Sequence, residues 1–380
     1  MNLSMSAFYP EDYQYMARAI TLAKKGRYTT SPNPCVGCVI VSQGQIIGEG
    51  FHIQAGGPHA EINALNQAKK AGHSPEGATA YVTLEPCSHT GKTPPCASAL
   101  IEAKVAKVVV GMQDPNPLVS GRGIEMLRDA GIEVYTGCLE SACQTINPGF
   151  NQRMSLQKPF VQLKLAASLD GRTAMASGES KWITSYQARK DVQEYRAQAC
   201  AILTGSGTVL ADNPNLNVRA SDFHHPEYPA EQLRQPVKIV IDNQALLTPD
   251  LNLFKDNAIV YLVGNASRQY SPDLIWSENT RFIHLSGDSN HVDLAVLMTE
   301  LAKLQINHIW VEAGAKLAGA LIQQQIVDEL IIYQAPKLLG ENTKGLLDIA
   351  ELTQLSQAIE WQYQDVRQVG PDLKITLRAK

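Results

Sequence analysis

The sequence contains no long apolar run and no excess of positive charge. None of its apolar runs approaches the roughly 20 residues that a helix needs to cross a bilayer, so we expect neither a membrane-spanning segment nor a membrane partner. Its 37 Asp and Glu residues outnumber its 33 Lys and Arg residues, and the net charge is −4 at pH 7. A chain without an overall basic field is not expected to bind nucleic acid.

The chain also lacks the features of an exported, disulfide-stabilised protein. Its first ten residues show no basic stretch followed by an apolar core, so we expect no signal peptide. Its seven cysteines are odd in number, and we expect them to be reduced thiols in the cytoplasm. The 380 residues are 44% hydrophobic and 18% charged, which is typical of a soluble globular protein with two domains.

Helical and strand patterns alternate along the chain, with an interruption near Asn147-Pro148-Gly149. Before the interruption, the alternation predicts a mostly parallel sheet with helices on both faces. The predicted elements include a hairpin of strands 36–41 and 45–49, a helix over 59–70 and a strand over 79–84. After Lys158-Pro159 the pattern predicts a second α/β unit of the doubly wound type. We therefore predict an α/β fold with two domains, residues 1–150 and 151–380.

One group of residues in the first domain has the composition of a zinc site. His59-Ala60-Glu61 is followed further along the chain by Pro86-Cys87 and then by Cys96. One imidazole and two thiolates hold Zn²⁺ with its fourth position open, and a non-ligating Glu is the general acid and base of zinc deaminases. His59, Cys87 and Cys96 are the predicted ligands, and Glu61 is the predicted catalytic residue. The generic deaminase pattern has two residues between its cysteines, whereas Ser88 to Pro95 separate them here.

Two other functions share this zinc group. A nucleic-acid deaminase with an appended domain would carry a basic face, which the net charge of −4 disfavours. A structural zinc in a non-enzymatic, nucleotide-sensing protein would take a fourth protein ligand. A zinc enzyme that acts on a small molecule is the favoured hypothesis.

Two glycine-containing segments of the second domain each connect a strand to a helix. They are Thr204-Gly205-Ser206-Gly207-Thr208 and the segment from Glu312 to Ala320. Glycine lets the backbone approach a phosphate, and N–H groups at a helix start bind it. Neither segment is a G-x-G-x-x-G fingerprint, and a tight turn explains each glycine equally well. Their occurrence in one α/β domain favours a dinucleotide at the carboxyl ends of the strands.

Several further residues have two interpretations each. His52 follows the predicted hairpin and either contacts a substrate or only lies near the site. His89 and Lys92, between the two cysteines, are either solvated or hold an anionic group such as a phosphate. Trp182 packs either on the core or on a cofactor ring. The segment from Ser168 to Arg172 is best explained as an Asp-Gly turn with a solvated Arg.

Taken together, these motifs resemble one family. In the first domain they are Asn33-Pro34-Cys35-Val36-Gly37, His59-Ala60-Glu61, the segment from Thr83 to Cys96, and Gln113-Asp114-Pro115-Asn116-Pro117. In the second they are the segment from Lys164 to Arg172 and Val311-Glu312-Ala313-Gly314. In this order they resemble the bifunctional deaminase/reductase family of bacterial riboflavin biosynthesis, in which the long loop between the cysteines is the family's own form.

The resemblance implies a fold and two activities. The fold is a cytidine-deaminase-like three-layer α/β/α domain followed by a dihydrofolate-reductase-like α/β domain. The activities are deamination of 2,5-diamino-6-(5-phosphoribosylamino)pyrimidin-4(3H)-one and reduction of the ribosyl unit of the product to ribityl. The implied cofactors are one Zn²⁺ in the first domain and NADPH in the second. The partner is then a small phosphoribosylaminopyrimidine, and we expect a homo-oligomer, either a dimer or a tetramer.

The resemblance also assigns residues to both sites. It implies His59, Cys87 and Cys96 as ligands, Glu61 as acid and base, and deaminase substrate contacts at Asn33, His52, His89 and Lys92. It implies cofactor contacts at Ala166, Trp182, Thr208, Asp212, Asn243, Gly314, Ala315, Lys316, Leu317, Ala318, Gly319 and Ala320. It implies reductase substrate contacts at Ser180, Arg196, Leu216, Arg219 and Glu312. Arg196 and Arg219 would then hold the substrate phosphate, and Asp170 and Glu312 are candidates for the proton donor.

Overall fold

The chain forms two structural units, Met1–Gln157 and Lys158–Lys380, in a computed structural model. The structure describes residues 8–88, 94–117, 119–179, 183–223, 233–286 and 291–380. The division between the units falls after Gln157 in the sequence, whereas the predicted boundary is at residue 150. The difference arises because the helix Pro148–Leu156 runs across the predicted boundary. Pro148 stands in the first turn of this helix, where its missing N–H has no helical partner to lose.

The first unit alternates helices and strands as predicted. Its described helices are α1 (Pro10–Ala23), α2 (Ala60–Lys70), α3 (Cys96–Glu102), α4 (Arg122–Asp129), α5 (Glu140–Gln144) and α6 (Pro148–Leu156). Its described strands are β1 (Gly37–Ser42), β2 (Gln45–Phe51), β3 (Thr79–Leu84), β4 (Lys107–Met112) and β5 (Glu133–Thr136). The predicted strand over 79–84 is confirmed without change, and α2 begins one residue after His59, which is its N-cap.

The first sheet has the order β2-β1-β3-β4-β5. The prediction of a mostly parallel sheet is wrong here, since β1 is antiparallel to both β2 and β3, while β3, β4 and β5 are parallel. The cause is the tight turn at Gln43-Gly44, whose residues have φ of 50° and 76° and reverse the chain. The carboxyl ends of β3 and β4 therefore lie side by side.

Helices cover both faces of this sheet. Val39 and Val41 of β1 pack in one apolar cluster with Met16 and Ile20 of α1. The alternate residue Ile40 packs in another cluster with the buried alanines of α2. Successive side chains of a strand point to opposite faces, so the two clusters are two layers of core on either side of one sheet. The predicted α/β/α arrangement is confirmed.

The second unit is built around a larger sheet. Its described helices are α7 (Tyr186–Gln198), α8 (Ser206–Asp212), α9 (Leu294–Lys303) and α10 (Ala315–Gln323). Its described strands are β6 (Phe160–Ala167), β7 (Arg172–Ala174), β8 (Ala201–Gly205), β9 (Val237–Ile241), β10 (Val260–Asn265), β11 (Thr280–Leu285), β12 (His308–Glu312), β13 (Glu329–Gln334), β14 (Lys344–Gly345), β15 (Trp361–Val369) and β16 (Asp372–Ala379).

The order of this sheet is β11-β10-β9-β8-β12-β6-β13-β16-β15. All neighbours from β11 to β13 are parallel, and the hairpin β15–β16 adds two antiparallel strands. β12 lies between β8 and β6, so the carboxyl ends of these three strands are adjacent. A separate pairing of β7 with β14 had no signal in the sequence. Within the described ranges, no helix combines the length and the apolar character needed to cross a membrane.

Candidate metal centre and cofactor site

Three separate segments bring together the predicted zinc ligands. His59 is the N-cap of α2, Cys87 follows β3, and Cys96 is the first residue of α3. Their ligand atoms all lie within 4.8 Å of one another. His59 Nδ1 is 3.6 Å from Cys87 Sγ and 3.3 Å from Cys96 Sγ. A tetrahedral zinc with bonds of about 2.3 Å to sulfur and about 2.0 Å to nitrogen separates such atoms by about 3.6 Å. The donor set and its spacing therefore fit Zn²⁺.

The electrostatics of this cluster favour a thiolate. The pKa of the Cys87 thiol falls to about 4 because Cys96 and His59 hydrogen bond to its sulfur and outweigh the effect of burial. The backbone N–H of Cys96, at the start of α3, also donates to Cys87 Sγ over 3.3 Å. Thiolate is the form of cysteine that binds a metal. The pKa of the Cys96 thiol is raised by its hydrogen bond to Cys87 and by burial, so Cys87 is the sulfur that ionises first.

Glu61 lies in the first turn of α2 and is only 3% exposed. Its Oε2 is buried and has no hydrogen-bond partner among the described residues. Burial, aided by the charge of Cys87, raises the pKa of this carboxyl to about 7. A buried carboxylate with an unpaired oxygen and a pKa near neutrality can both accept and return a proton.

Asn33 and His52 lie beside the metal ligands. His52 Nδ1 donates to the Pro58 carbonyl over 3.0 Å, so Nε2 is left to accept from Asn33 Nδ2 at 3.2 Å. Burial lowers the pKa of His52, which favours this neutral form. The His52 and His59 rings meet edge to face with centroids 5.2 Å apart. Two of the four predicted deaminase substrate residues thus adjoin the metal cluster, while His89 and Lys92 lie outside the described residues.

In the second unit, the two glycine segments lie next to each other. They follow β8 and β12, which are neighbouring parallel strands. A Cβ atom on Gly314 would be 3.9 Å from Thr208 Oγ1, and one on Gly205 would be 3.4 Å from the Leu317 side chain. The starts of α8 and α10 therefore form one surface at the carboxyl ends of the strands, as expected for a dinucleotide.

The other predicted cofactor residues are distributed around this surface. Ala166 is near the end of β6, and Asp212 is an exposed residue at the end of α8. Asn243 follows β9, and its Oδ1 accepts a hydrogen bond from the Val292 N–H over 3.0 Å. Asn243 therefore holds the segment at residue 292. Trp182 lies outside the described residues.

The seven predicted positions from Gly314 to Ala320 do not share one environment. Gly314 and Lys316 are exposed, and Ala315, Leu317 and Ala320 are partly buried. Ala318 and Gly319 are buried, and a Cβ atom on Gly319 would be 1.9 Å from the Asp348 carbonyl oxygen. Close packing against residue 348 explains this glycine without a cofactor. The first turn of α10 is the part that is open to a ligand.

The predicted phosphate-binding arginines are both paired. Arg196 donates to both carboxylate oxygens of Glu312 over 2.6 and 2.8 Å, and to the Asn217 carbonyl over 2.8 Å. Its side chain is 13% exposed, so the guanidinium that was predicted to hold the substrate phosphate forms a buried ion pair. Arg219 is half exposed and pairs with Asp222 at 3.0 Å.

Of the remaining predicted substrate residues, Leu216 is a core residue. It is 3% exposed and packs with Val192 and Trp310. Trp310 Nε1 donates to Glu312 Oε1 over 2.8 Å, so Glu312 is held by Trp310 as well as by Arg196. Ser180 lies outside the described residues.

Neither candidate proton donor carries a proton at neutral pH. Burial would raise the pKa of Glu312, but the Arg196 guanidinium outweighs it and holds the value at about 2. Hydrogen bonds from the Ser168 hydroxyl and the Gly340 N–H lower the pKa of Asp170 to about 2. Both groups are carboxylates that accept hydrogen bonds, so their lowered pKa values disfavour them as proton donors.

Lys164 is a residue of this site to which the sequence analysis gave no role. Lys164 lies opposite Glu312 in the register of the parallel strands β6 and β12. It is two residues before Ala166 and therefore on the same face of β6. Burial lowers the pKa of Lys164, and the charge of Glu312 opposes that effect. A signal was available, because Lys164 is the one charged residue in the strand Phe160–Ala167, and a charge is costly to bury without a function.

The Asp-Gly turn after β6 is confirmed, but its arginine is not solvated. Gly171 has a φ of 71°, and its N–H donates to the Ser168 carbonyl over 3.0 Å. Arg172 begins β7, and its Nε is buried without a partner in the described part of the chain. Arg172 is therefore partly buried, while Leu169 of the turn is exposed.

Comparison with known proteins gives the same division of the chain. Residues 10–112 match the family model of the cytidine and deoxycytidylate deaminase zinc-binding region, and residues 159–375 match that of the RibD C-terminal domain. The chain is 53% identical to the riboflavin biosynthesis protein RibD of Escherichia coli over 370 residues, which are 97% of this chain and 99% of that protein.

Two solved structures resemble the whole chain. RibD of Acinetobacter baumannii (form 1) matches with a TM-score of 0.89 and 43% identity, and covers 97% of this chain and 99% of its own. A Thermotoga maritima protein, described as a diaminohydroxyphosphoribosylaminopyrimidine deaminase/5-amino-6-(5-phosphoribosylamino)uracil reductase, matches with a TM-score of 0.85 and 35% identity over 97% of this chain and 99% of its own. These matches confirm the predicted two-part α/β fold. The chain belongs to the RibD family of bifunctional deaminase/reductase proteins of riboflavin biosynthesis.

Proposed function

We propose that this chain catalyses two successive steps of riboflavin biosynthesis. The first unit deaminates 2,5-diamino-6-(5-phosphoribosylamino)pyrimidin-4(3H)-one. The second reduces the ribosyl side chain of the product with NADPH and gives 5-amino-6-(5-phosphoribitylamino)uracil. The observation that carries the proposal is the cluster of His59, Cys87 and Cys96 beside the buried Glu61.

In the deamination, Glu61 moves the protons. His59, Cys87 and Cys96 would hold Zn²⁺, which would supply Lewis-acid activation of water near neutral pH. Glu61 takes the proton of the attacking water on its unpaired Oε2 and delivers it to the amino group that leaves as ammonia. Asn33 and His52 contact the pyrimidine ring of the substrate, while His89 and Lys92 hold its phosphate.

In the reduction, the second unit positions the nicotinamide against the sugar carbon that accepts the hydride. The surface formed by Thr208 and the first turn of α10 holds the cofactor phosphates. Arg219, which is half exposed, contributes to the grip on the substrate phosphate. Lys164 gives the proton that the ribose ring oxygen needs when it leaves the carbon that receives the hydride. Its lowered pKa makes that transfer easier.

A coupled assay on the purified protein tests both steps. Ammonia release from the diaminopyrimidine nucleotide is followed with and without NADPH, together with the NADPH absorbance. We expect ammonia without NADPH, and oxidation that matches it once NADPH is added. Ammonia without any oxidation would remove the reductase assignment, and the absence of both signals from zinc-loaded protein would remove the substrate assignment.

The preference for NADPH over NADH is part of this proposal, and the same assay with NADH as the alternative donor tests it. That the chain is cytoplasmic and forms a homo-oligomer stays a prediction. Light scattering of the purified protein would measure the oligomeric state.

A further inference from the structure

Glu85 is a buried carboxylate directly after β3, and the sequence analysis gave it no role. It is 4% exposed and stands two residues before the ligand Cys87. Its oxygens accept hydrogen bonds from four backbone N–H groups: Asp114 at 3.2 Å and Gly121 at 3.0 Å on Oε2, and Gly123 at 2.9 Å and Ile124 at 3.4 Å on Oε1. A carboxylate with this many donors is an organising centre for the backbone around it.

The four donors lie beyond the end of β4: Asp114 follows that strand, and the other three lie at the N-cap and in the first turn of α4. β4 is parallel to β3, and the segment that follows β4 leads into α4. The Glu85 N–H donates to the Met112 carbonyl over 3.0 Å, which extends the pairing of the two strands by one residue. Glu85 thus joins the end of β3 to the segment after β4 and to the first turn of α4.

Pro86, between Glu85 and Cys87, is held by close packing against α4, which also supplies donors to Glu85. A Cβ atom on Gly123 would be 1.9 Å from the Pro86 carbonyl oxygen, so only glycine allows α4 to approach this closely. On its other side, the Cys87 carbonyl accepts from the Ala97 N–H of α3 over 3.2 Å. The backbone of Cys87 is therefore fixed between α3, which carries Cys96, and the contacts of Glu85 and Pro86 with α4.

We propose that Glu85 is a positioning residue for the metal ligand Cys87. It does not touch the metal, and it acts by holding the turn that aims the Cys87 sulfur at the site of His59 and Cys96. The proposal rests on the proposed zinc-deaminase function and adds to it. Residues that orient metal ligands in this way typically change metal affinity or activity by about 10–100-fold when they are replaced.

A merely structural role predicts a different result. A glutamate that only stabilises the first unit would lower its melting temperature, while each folded molecule would keep its zinc affinity. A positioning residue changes the metal site in molecules that are folded. Zinc affinity and the spectrum of a bound metal therefore distinguish the two roles.

The experiment compares the full-length wild type with Glu85→Gln, Glu85→Asp and the control Glu125→Gln. Glutamine keeps the shape of the side chain, but it replaces one acceptor oxygen with an NH₂ group that faces N–H donors. Glu125 is an exposed residue of α4, close in sequence to the four donors. Zinc affinity is measured by chelator competition, and the geometry of the site by the absorption bands of bound Co²⁺. NADPH oxidation on the deaminated intermediate reports on the second unit.

We expect Glu85→Gln to bind zinc about 10–100-fold more weakly and to shift the Co²⁺ bands, with NADPH oxidation unchanged. Glu125→Gln should match the wild type. A Glu85→Gln protein with wild-type zinc affinity and Co²⁺ spectrum overturns the proposal, whatever its melting temperature. Where Glu85→Gln leaves the first unit unfolded, Glu85→Asp decides by the same two measurements. The measurements of zinc affinity and of the Co²⁺ spectrum need no substrate, so they remain valid if the proposed substrate is wrong.

Discussion

At the residue scale, the proposed metal ligand His59 and the proposed proton carrier Glu61 are only two positions apart in the sequence. His59, the N-cap of α2, has an extended backbone conformation with φ of −74° and ψ of 170°. Glu61 is already inside the helix, and its carboxylate is buried. Because the backbone changes from extended to helical between them, the two side chains lie in different positions at one site.

Replacement of Glu61 by Gln should remove deamination alone. Glutamine cannot accept and return the proton, so ammonia release should fall by about 10²–10⁴-fold. NADPH oxidation on the supplied deaminated intermediate should stay at the wild-type rate. The matched control is Glu102→Gln, at an exposed position of α3. Ammonia release within twofold of the wild type would refute the role of Glu61.

The buried pair of Arg196 and Glu312 should make the second unit sensitive to acid. The pKa of Glu312 is about 2 in the folded protein, below the ordinary value of 4.5, so the unfolded state binds more protons between these values. The stability that the pair contributes is therefore present above about pH 4.5 and is lost as the pH falls toward 2. Replacement of Glu312 by Gln should flatten this part of the stability profile.

At pH 7, Glu312→Gln should lower the free energy of unfolding of the second unit by about 3 kcal/mol, because Arg196 is left buried without its partner. The control Glu300→Gln breaks an exposed pair with Lys303 and should cost less than about 1 kcal/mol. Denaturant unfolding at a series of pH values measures both effects. Identical profiles for Glu312→Gln and the wild type would contradict the assignment.

At the scale of elements, the segment from Lys337 to Asp348 is held at both ends beside the proposed cofactor surface. The Asp170 carboxylate accepts from the Leu339 N–H at 3.1 Å and the Gly340 N–H at 2.8 Å. At the other end, the Asp348 N–H donates to the Ala315 carbonyl of α10 over 3.1 Å. The segment therefore connects the turn after β6 with the first turn of α10.

Replacement of Asp170 by Asn should loosen this segment and weaken cofactor binding. One acceptor oxygen is lost, at a cost of about 1.5 kcal/mol, which corresponds to a roughly tenfold higher KM for NADPH. The deaminase should be unaffected. Glu341→Gln, at an exposed position of the same segment, is the control. An unchanged KM, or an equal rise in both variants, would show that Asp170 does not act through the cofactor surface.

Elements also show which parts of the fold were predictable. β3 has the limits that the sequence predicts, because a buried strand is a largely apolar segment between turn residues. The sequence pattern predicts an interruption at Pro148, where the structure has the start of α6, because proline is favoured in the first turn of a helix. The pairing of β7 with β14 joins short segments far apart in the sequence, for which no local periodicity exists.

At the scale of the whole molecule, the two sites draw on different units. The ligands of the proposed zinc all lie before Gln157, and both glycine segments lie after Lys158. The activities should therefore respond separately to loss of the metal.

Treatment with a strong chelator should abolish ammonia release and leave NADPH oxidation on the supplied intermediate intact. Zinc supplies the activation of water in the first unit, whereas hydride transfer in the second needs no metal. Both rates are measured on the same chelated sample, and added Zn²⁺ should restore the first. Parallel loss of both activities on chelation would contradict the independence of the two sites.

The sequence by itself identified the residues of the proposed metal site, the proposed acid/base residue and the alternation of helices and strands. Those features depend on residue types at short spacing and on local periodicity, which a chain carries before it folds. The tertiary structure alone decided that Arg196 pairs with Glu312, that the two glycine segments meet, and that Glu85 gathers the start of α4. Each of these depends on strand order, because β12 enters the sheet between β8 and β6, and β4 beside β3. Strand order is set by the packing of whole layers. A contact between residues a hundred positions apart therefore cannot be predicted from a local sequence pattern.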